Sequence, residues 1–362
     1  MMSQLNEPLK IWINEDLLLP DVRLVPLLMH LSPPETHPEL QFWNLLRDEL
    51  PELVKIHRFT NLADAGKIVV IPHFMSNYYL LKKEGEINKF RRQVLASKRT
   101  LVTFSNCMEY KAYQGELFFA SATYRDQKEK SIPTPAWIFD IGEKVNIPKP
   151  SIPTVSFVGN IEYPSRINSL ILRYIKFSDS MINWMACSLF VNRNLNLGRR
   201  RLIAQLVRKK IINEVRKAKN LQTFLIERKG DFYTLPLEEK KRQRAEYIES
   251  IENNAYLLTM RGDDNGCYRL WEVMSAGRIP VLIDTNGLLP ELRGMKWEDF
   301  CVIVPFSEVH RIGDYIQTFH DRLSDEDFVE VCRKSRAAFD QLLPHNFVVR
   351  ILEKIVELKS KH

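Results

Sequence analysis

Short apolar runs rich in β-branched or aromatic residues recur along the chain: Lys10–Asn14, Lys67–Pro72, Thr100–Phe104, Ala136–Asp140, Val155–Gly159, Thr223–Ile226, Tyr256–Met260, Ile279–Ile283 and Cys301–Val304. Stretches with helical spacing separate them, so the pattern predicts strands alternating with helices, and therefore parallel α/β sheets. The alternation stops between residues 143 and 153, where Glu-Lys-Val-Asn-Ile-Pro-Lys-Pro-Ser-Ile-Pro has no period and reads as an extended linker. It divides an N-terminal Rossmann-like unit, 1–148, from a C-terminal one, 149–335. After about residue 305 the pattern is almost wholly helical. Ser324 and Asp327 have the spacing of a capping box, and Phe328, Val331, Cys332 and Phe339 recur at helical intervals. The last segment, 336–362, is expected to pack back on the N-terminal unit. Two Rossmann-like units place their ligand sites at the carboxyl ends of the strands, facing the cleft between them.

The composition agrees with that plan. A chain of 362 residues, 45% hydrophobic and 27% charged, is long enough for about two folded domains and too apolar to be disordered. No apolar run approaches the roughly 20 residues of a membrane span. The start, Met-Met-Ser-Gln-Leu-Asn-Glu-Pro, has no basic n-region and no signal-type apolar segment, so a cytoplasmic protein is expected. The five cysteines are widely spaced and never form Cys-x-x-Cys, which points to reduced thiols and not to a disulfide framework or a zinc knuckle.

The net charge of +7 is concentrated in one place. From Arg193 to Lys219 ten Arg or Lys stand against a single acid, Glu214. Leu202, Ile203, Leu206, Val207, Ile211, Ile212 and Val215 fall there at helical intervals, so the segment predicts an amphipathic helix with a basic outer face. Its plainer reading is a solvated surface helix. The functional readings are a peripheral membrane contact through 193–219, attraction of an anionic or lipid-linked acceptor, or a contribution of Arg200 or Arg201 to an anion site. No aromatic interleaving or known module accompanies the charge, so a nucleic-acid partner is not expected.

The most informative stretch is Tyr256–Asp284, which reads as strand, polar turn, helix and strand. Gly262, Asp263, Asp264, Asn265 and Gly266 suit a tight turn before a helix, whose first N–H groups and positive dipole end favour phosphate. Arg261, at the end of the preceding strand, adds a charge able to bind an anion in bidentate fashion. Tyr268, Arg269 and Glu272 are three and four apart, giving the helix a polar stripe, and Glu272 is placed to accept hydrogen bonds from vicinal ribose hydroxyls. Gly277 closes the helix. The plainer reading is one more strand–turn–helix unit with an Arg–Glu pair on its surface.

The string Arg-Gly-x4-Cys-x-Arg-Leu-x-Glu-x4-Gly-x-Ile-Pro-Val, followed by Leu289-Pro290 and by Trp297 and Phe300, resembles the donor-binding region of the exostosin family, glycosyltransferase family 47. Met260, Cys267 and Val273 stand where that family has Pro, Ser and Ala. Lys67–Pro72, Ser156–Asn160 and Lys10–Ile13 are weaker echoes. The resemblance implies a GT-B fold: two Rossmann-like domains, with a nucleotide-sugar held by the C-terminal one, an acceptor by the N-terminal one, and terminal helices crossing back. It also implies inverting transfer with no cofactor and no essential metal. Carried over to this chain, Arg261 neutralises the donor diphosphate and Gly266 and Cys267 donate backbone N–H groups. Arg269 supports the site, Glu272 holds the ribose, and Gly159 and Asn160 lie under the donor.

Inverting transfer needs a base for the acceptor hydroxyl. His73, directly after the Val-Val-Ile-Pro strand, is the candidate, with Asp21 and Glu109 as alternatives; a lone histidine at a strand end also serves as a structural residue. Asp325-x-Asp327 formally matches the Asp-x-Asp motif of metal-dependent transferases, but acids there suit a helix start. The expected function is therefore glycosyl transfer from a nucleoside-diphosphate sugar, UDP- or GDP-linked, to a glycan acceptor. The alternative is a non-catalytic exostosin-like subunit that binds glycan or a partner protein.

Overall fold

The computed structural model describes residues 7–106, 112–127, 131–137, 139–144, 147–162, 178, 180–182, 185, 197–230 and 232–359. The chain divides into two compact units. One comprises Met1–Trp137, Leu288–Pro290 and Gln341–His362; the other comprises Ile138–Gly287 and Glu291–Asp340.

The first unit is built on β1 (Leu9–Asn14), β2 (Val54–Phe59), β3 (Ile68–Val70), β4 (Thr100–Ser105), β5 (Glu116–Ala120) and β6 (Ile132–Pro133). They form a sheet in the order β2-β1-β3-β4-β5-β6, with every neighbouring pair parallel. Ile68–Val70 and Leu101–Ser105 are buried on both faces, as parallel strands covered by helices must be. Helix α1 (Phe42–Leu53) buries Trp43, Leu46 and Leu50, and α3 (Glu84–Ala96), which follows the short α2 (Met75–Leu80), buries Ile87, Arg91 and Val94. Arg91 and Glu116 form a fully buried ion pair at 2.6 Å, with Tyr113 N–H donating to the same carboxylate at 2.9 Å.

The second unit contains β7 (Thr154–Glu162), α4 (Leu197–Lys217), β8 (Gln222–Lys229), α5 (Leu237–Asn253), β9 (Tyr256–Thr259), α6 (Tyr268–Ser275), β10 (Ile279–Asp284), β11 (Val302–Pro305), α7 (Ile312–Asp321) and α8 (Asp325–Leu342). Its sheet order is β11-β10-β9-β7-β8, again parallel throughout. The last helix, α9 (Pro344–Lys359), belongs to the first unit: the Trp137 ring sits 5.7 Å from Phe347 and 5.8 Å from Trp43, and Trp137 Nε1 donates to Leu342 O at 2.9 Å.

Gly277 ends α6 in the left-handed region, at φ +66°. Its N–H donates to Met274 O at 2.9 Å and that of Arg278 to Val273 O at 3.0 Å, a Schellman closure that turns the chain straight into β10. One strand prediction fails. Of residues 136–140, the described ones make no ladder; their apolar character is used instead by Trp137 and by Phe139, whose ring lies 4.9 Å from the Arg244 guanidinium. Conversely, Val54–Phe59 and Glu116–Ala120 are strands that the pattern missed, the first because His57 and Arg58 interrupt its apolar run. The proline-rich stretch does not hang free: Lys144 N–H donates to Ala276 O at 3.3 Å and Lys149 Nζ to Leu323 O at 2.7 Å, and just before it Ile141 N–H donates to Ser275 Oγ at 3.1 Å and Arg336 to Asp140 at 2.8 Å. Among the described residues no helix is long and apolar enough to cross a membrane.

Candidate anion-binding site

In the second unit the chain reverses its direction of strand addition between β7 and β9, the topological switch point at which doubly wound sheets form a crevice outside their carboxyl ends. β7 delivers Gly159 and Asn160 to this place, and the chain leaving β9 delivers Arg261 and Gly262. Of the residues singled out from sequence, Gly159, Asn160, Arg261, Gly262 and Arg269 come together here, with one addition. Arg208, from the middle of α4, donates through Nη1 to Asn160 O at 2.6 Å and through Nε to Arg261 O at 3.2 Å, clamping the two strand ends together. A Cβ on Gly262 would stand 3.5 Å from Arg208 Nη2.

Arg269, on the first turn of α6, reaches back across the sheet end. Its Nη2 donates to Val158 O at 2.7 Å while the guanidinium lies 4.5 Å from the Phe157 ring and 5.3 Å from that of Tyr247. Gly159 makes this approach possible, because a Cβ there would come within 2.6 Å of Arg269 Nη2. Asn160 Nδ2 donates to Gly230 O at 2.8 Å and so fixes the loop after β8. Arg261 is almost fully buried, at 2% exposure.

The turn between β9 and α6 folds on itself. Gly266 N–H donates to Asp264 Oδ1 at 2.9 Å and Cys267 N–H to Asn265 O at 2.9 Å. Asn265 also accepts from Thr285 Oγ1 at 2.6 Å and donates to Thr285 O at 3.3 Å, which ties the turn to the end of β10. The two N–H groups expected to meet phosphate are thus internally bonded in this conformation. Asp263 lies 3.7 Å from Arg201 Nε, and Asp264 feels both Arg261 and Arg200. Burial raises the Asp264 carboxyl above its ordinary range despite those guanidiniums, and raises the Cys267 thiol as well.

Glu272 does not lie on an open polar stripe. It is 8% exposed, accepts from Arg244 Nη1 at 2.6 Å and from Tyr247 Oη at 2.8 Å, and so faces α5. Tyr268 is the exposed residue of α6, at 44%. The basic helix differs from expectation in the same way. Residues 193–196 lie outside the described residues, and of the remainder Arg216, Lys217 and Lys219 are exposed while Arg200, Arg201, Arg208, Lys209 and Lys210 are partly buried. Arg208 was legible in principle: it stands four residues from both Ala204 and Ile212, inside the stripe that α4 buries. Arg244 and Tyr247, three apart on α5, carried no motif.

His73 belongs to the first unit and is buried, at 1% exposure. Nε2 accepts from Leu19 N–H at 2.9 Å and Nδ1 lies 3.0 Å from Arg23 O, so the ring is a neutral Nδ1–H tautomer with both nitrogens bonded to backbone. Burial lowers its pKa. Such a ring has no lone pair left for a substrate hydroxyl, which is the physical reason it does not suit the role of base. Glu109 lies outside the described residues, and Asp21 is exposed with φ 57°. Ser324 and Asp327 form the capping box, Asp327 N–H donating to Ser324 Oγ at 3.0 Å, so the Asp-x-Asp string serves the start of α8. Among the described residues no group of three His, Cys, Asp or Glu is placed to hold a metal ion.

Neither a family model nor a curated protein matches this sequence, so the exostosin resemblance rests on the motif residues themselves, chiefly those of 256–304. Solved structures similar to this chain include a glycosyltransferase from Rickettsia africae ESF-5, 10% identical at a TM-score of 0.38, with 99% of this chain and 100% of that one covered. TarM is another, 11% identical at a TM-score of 0.35, with 72% of this chain and 50% of that one covered. What the fold and site themselves define is an α/β protein of two parallel-sheet units, with a guanidinium cluster at the switch point of the second.

Proposed function

We propose that the chain is a glycosyltransferase that binds a nucleoside-diphosphate sugar in its second unit and transfers the sugar to a glycan acceptor with inversion. The observation that carries this reading is the convergence of Arg208, Arg261 and Arg269 on the carboxyl ends of β7 and β9. Guanidiniums fixed by carbonyl bonds present preorganised charge to a diphosphate, and they stabilise the charge that develops as the glycosidic bond to it breaks. In this reading Arg261 contacts the diphosphate, and Arg200 adds charge from α4. Glu272, oriented by Arg244 and Tyr247, accepts from the ribose hydroxyls with the lone pairs those donors leave. The arginines supply the countercharge that a cation supplies elsewhere, so no essential metal is expected. The acceptor's base is left unassigned.

One observation favours a second reading, a subunit that binds donor or glycan without turnover: the one histidine expected to act as base has both ring nitrogens committed to backbone. A thermal-shift panel of nucleotides and nucleotide-sugars, followed by assay of nucleoside-diphosphate release, separates the readings. A donor at about 100 times its Kd stabilises the protein by roughly 2.7 kcal/mol. Stabilisation with release supports transfer; stabilisation without release, over a panel of acceptors, supports the second reading. No response to any nucleotide ends both as donor-site readings.

A further inference from the structure

The turn between β9 and α6 contains a carboxylate where an anion would be expected to bind. Asp264 Oδ1 accepts the Gly266 N–H at 2.9 Å, one of the donors that a phosphate would use at this helix entrance. The positive charges of Arg261 and Arg200 act on the same carboxylate, and the neighbouring Asp263 lies 3.7 Å from Arg201 Nε. An uncharged Asn would close the same turn, since its Oδ1 accepts from the backbone equally well; the next residue, Asn265, is of that type and uses its amide to hold Thr285. The negative charge at 264 is therefore more than the turn requires. It is also partly buried, which disfavours an ionised carboxylate unless nearby cations compensate it.

Building on the donor-site reading above, we infer that Asp264 is a resident anion that competes with the donor diphosphate for the guanidinium cluster and for the Gly266 N–H. Without donor, the carboxylate satisfies that N–H and offsets part of the field of Arg200 and Arg261. When the diphosphate arrives it takes over both, and Asp264 turns away or gives up its bond. When the nucleoside diphosphate leaves as product, the carboxylate returns to the same partners. The charge at 264 thus lowers the affinity of the site for diphosphate and speeds product release, a step that limits turnover in many transferring enzymes.

The test is Asp264→Asn, which keeps an acceptor for the Gly266 N–H and removes the charge. Calorimetric titration of UDP, GDP and inorganic pyrophosphate into the full chain, with EDTA present, should show about tenfold tighter binding in the variant, because a like charge in contact with the ligand has been removed. The gain should shrink as salt is raised from low to high ionic strength, since an electrostatic effect is screened and a change in the turn's geometry is not. Equal or weaker binding in the variant overturns the inference. So does a loss of binding that appears only when Mg2+ replaces EDTA, which would mean that the carboxylate carries a cation. If the wild-type chain binds none of the three probes, the donor-site reading itself falls; if it binds and the variant is unchanged, only the role of Asp264 falls. Should Asp264→Asn not fold, Asp264→Ser retains an uncharged acceptor and carries the same comparison.

Discussion

Gly159→Ala probes the site with a single methyl group. The backbone at Gly159 lies outside the left-handed region, so alanine meets no conformational obstacle there. The new Cβ would instead stand 2.6 Å from Arg269 Nη2, far inside contact distance, and 3.3 Å from Phe157 Cζ, a tight contact. Arg269 is long enough to swing away, but in doing so it gives up its 2.7 Å bond to Val158 O and its seat over Phe157. A hydrogen bond from a charged group is worth about 1.5–3 kcal/mol and a partly exposed cation–π contact about 0.5–1 kcal/mol. Alanine returns about 0.4–1 kcal/mol by restricting the unfolded chain. The net loss is about 1–3.5 kcal/mol. At about 2–4 °C per kcal/mol for a unit of this size, a mid-range loss lowers Tm by about 4–8 °C. Nucleotide affinity should fall by at least about tenfold, since one of the guanidiniums has left the strand ends. Thermal melts followed by calorimetric titration of UDP and GDP measure both effects. A variant with wild-type Tm and wild-type affinity would refute the idea that Gly159 is a glycine because Arg269 needs its space.

Arg208→Lys should weaken nucleotide binding about tenfold, because a single ammonium cannot span carbonyls on two strand ends as the guanidinium does at 2.6 and 3.2 Å; unchanged titration curves would contradict this. Glu116→Gln leaves the buried Arg91 charge without its partner and should destabilise the first unit by about 3–5 kcal/mol in chemical denaturation, with a loss below about 1 kcal/mol counting against it. His30, His73 and His320 are all held below their ordinary pKa of 6.5, chiefly by burial, so the unfolded chain takes up protons that the folded chain refuses. Their contribution to stability is present above pH 6.5 and is lost as the pH falls from there towards the folded values. Tm should therefore drop between pH 7.5 and 5, more shallowly in His73→Gln than in wild type; identical slopes would show that the His73 ring is not neutral and bonded as described.

The fold was legible where the chain obeys a simple period. The strands at 256–259 and 279–284 are near-continuous apolar runs between turn residues, and that at 154–162 carries Val155, Phe157 and Val158 in its buried part; parallel strands covered on both faces read that way. Val54–Phe59 was missed because edge strand β2 carries half-buried polar residues, and Ala136–Asp140 was misread because aromatic side chains packing as single wedges mimic a strand. At the site, Arg261, Arg269 and Gly159 follow from motif and spacing. The internal bonding of the turn does not, since a turn's own hydrogen bonds depend on dihedral angles that composition leaves open. Charge was the least reliable guide. A basic helix suggests a solvated face, but Arg208 lies along the buried stripe of α4 and spends its donors on the carbonyls of Asn160 and Arg261.

The measurement that bears most directly on the central claim is calorimetric titration of UDP and GDP, in EDTA, into the full chain and into Arg261→Lys. The account predicts saturable binding of at least one of them to the wild-type chain and its loss in the variant, whose circular dichroism should be unchanged. Binding of neither nucleotide by the wild-type chain, or equal binding by both proteins, would contradict it.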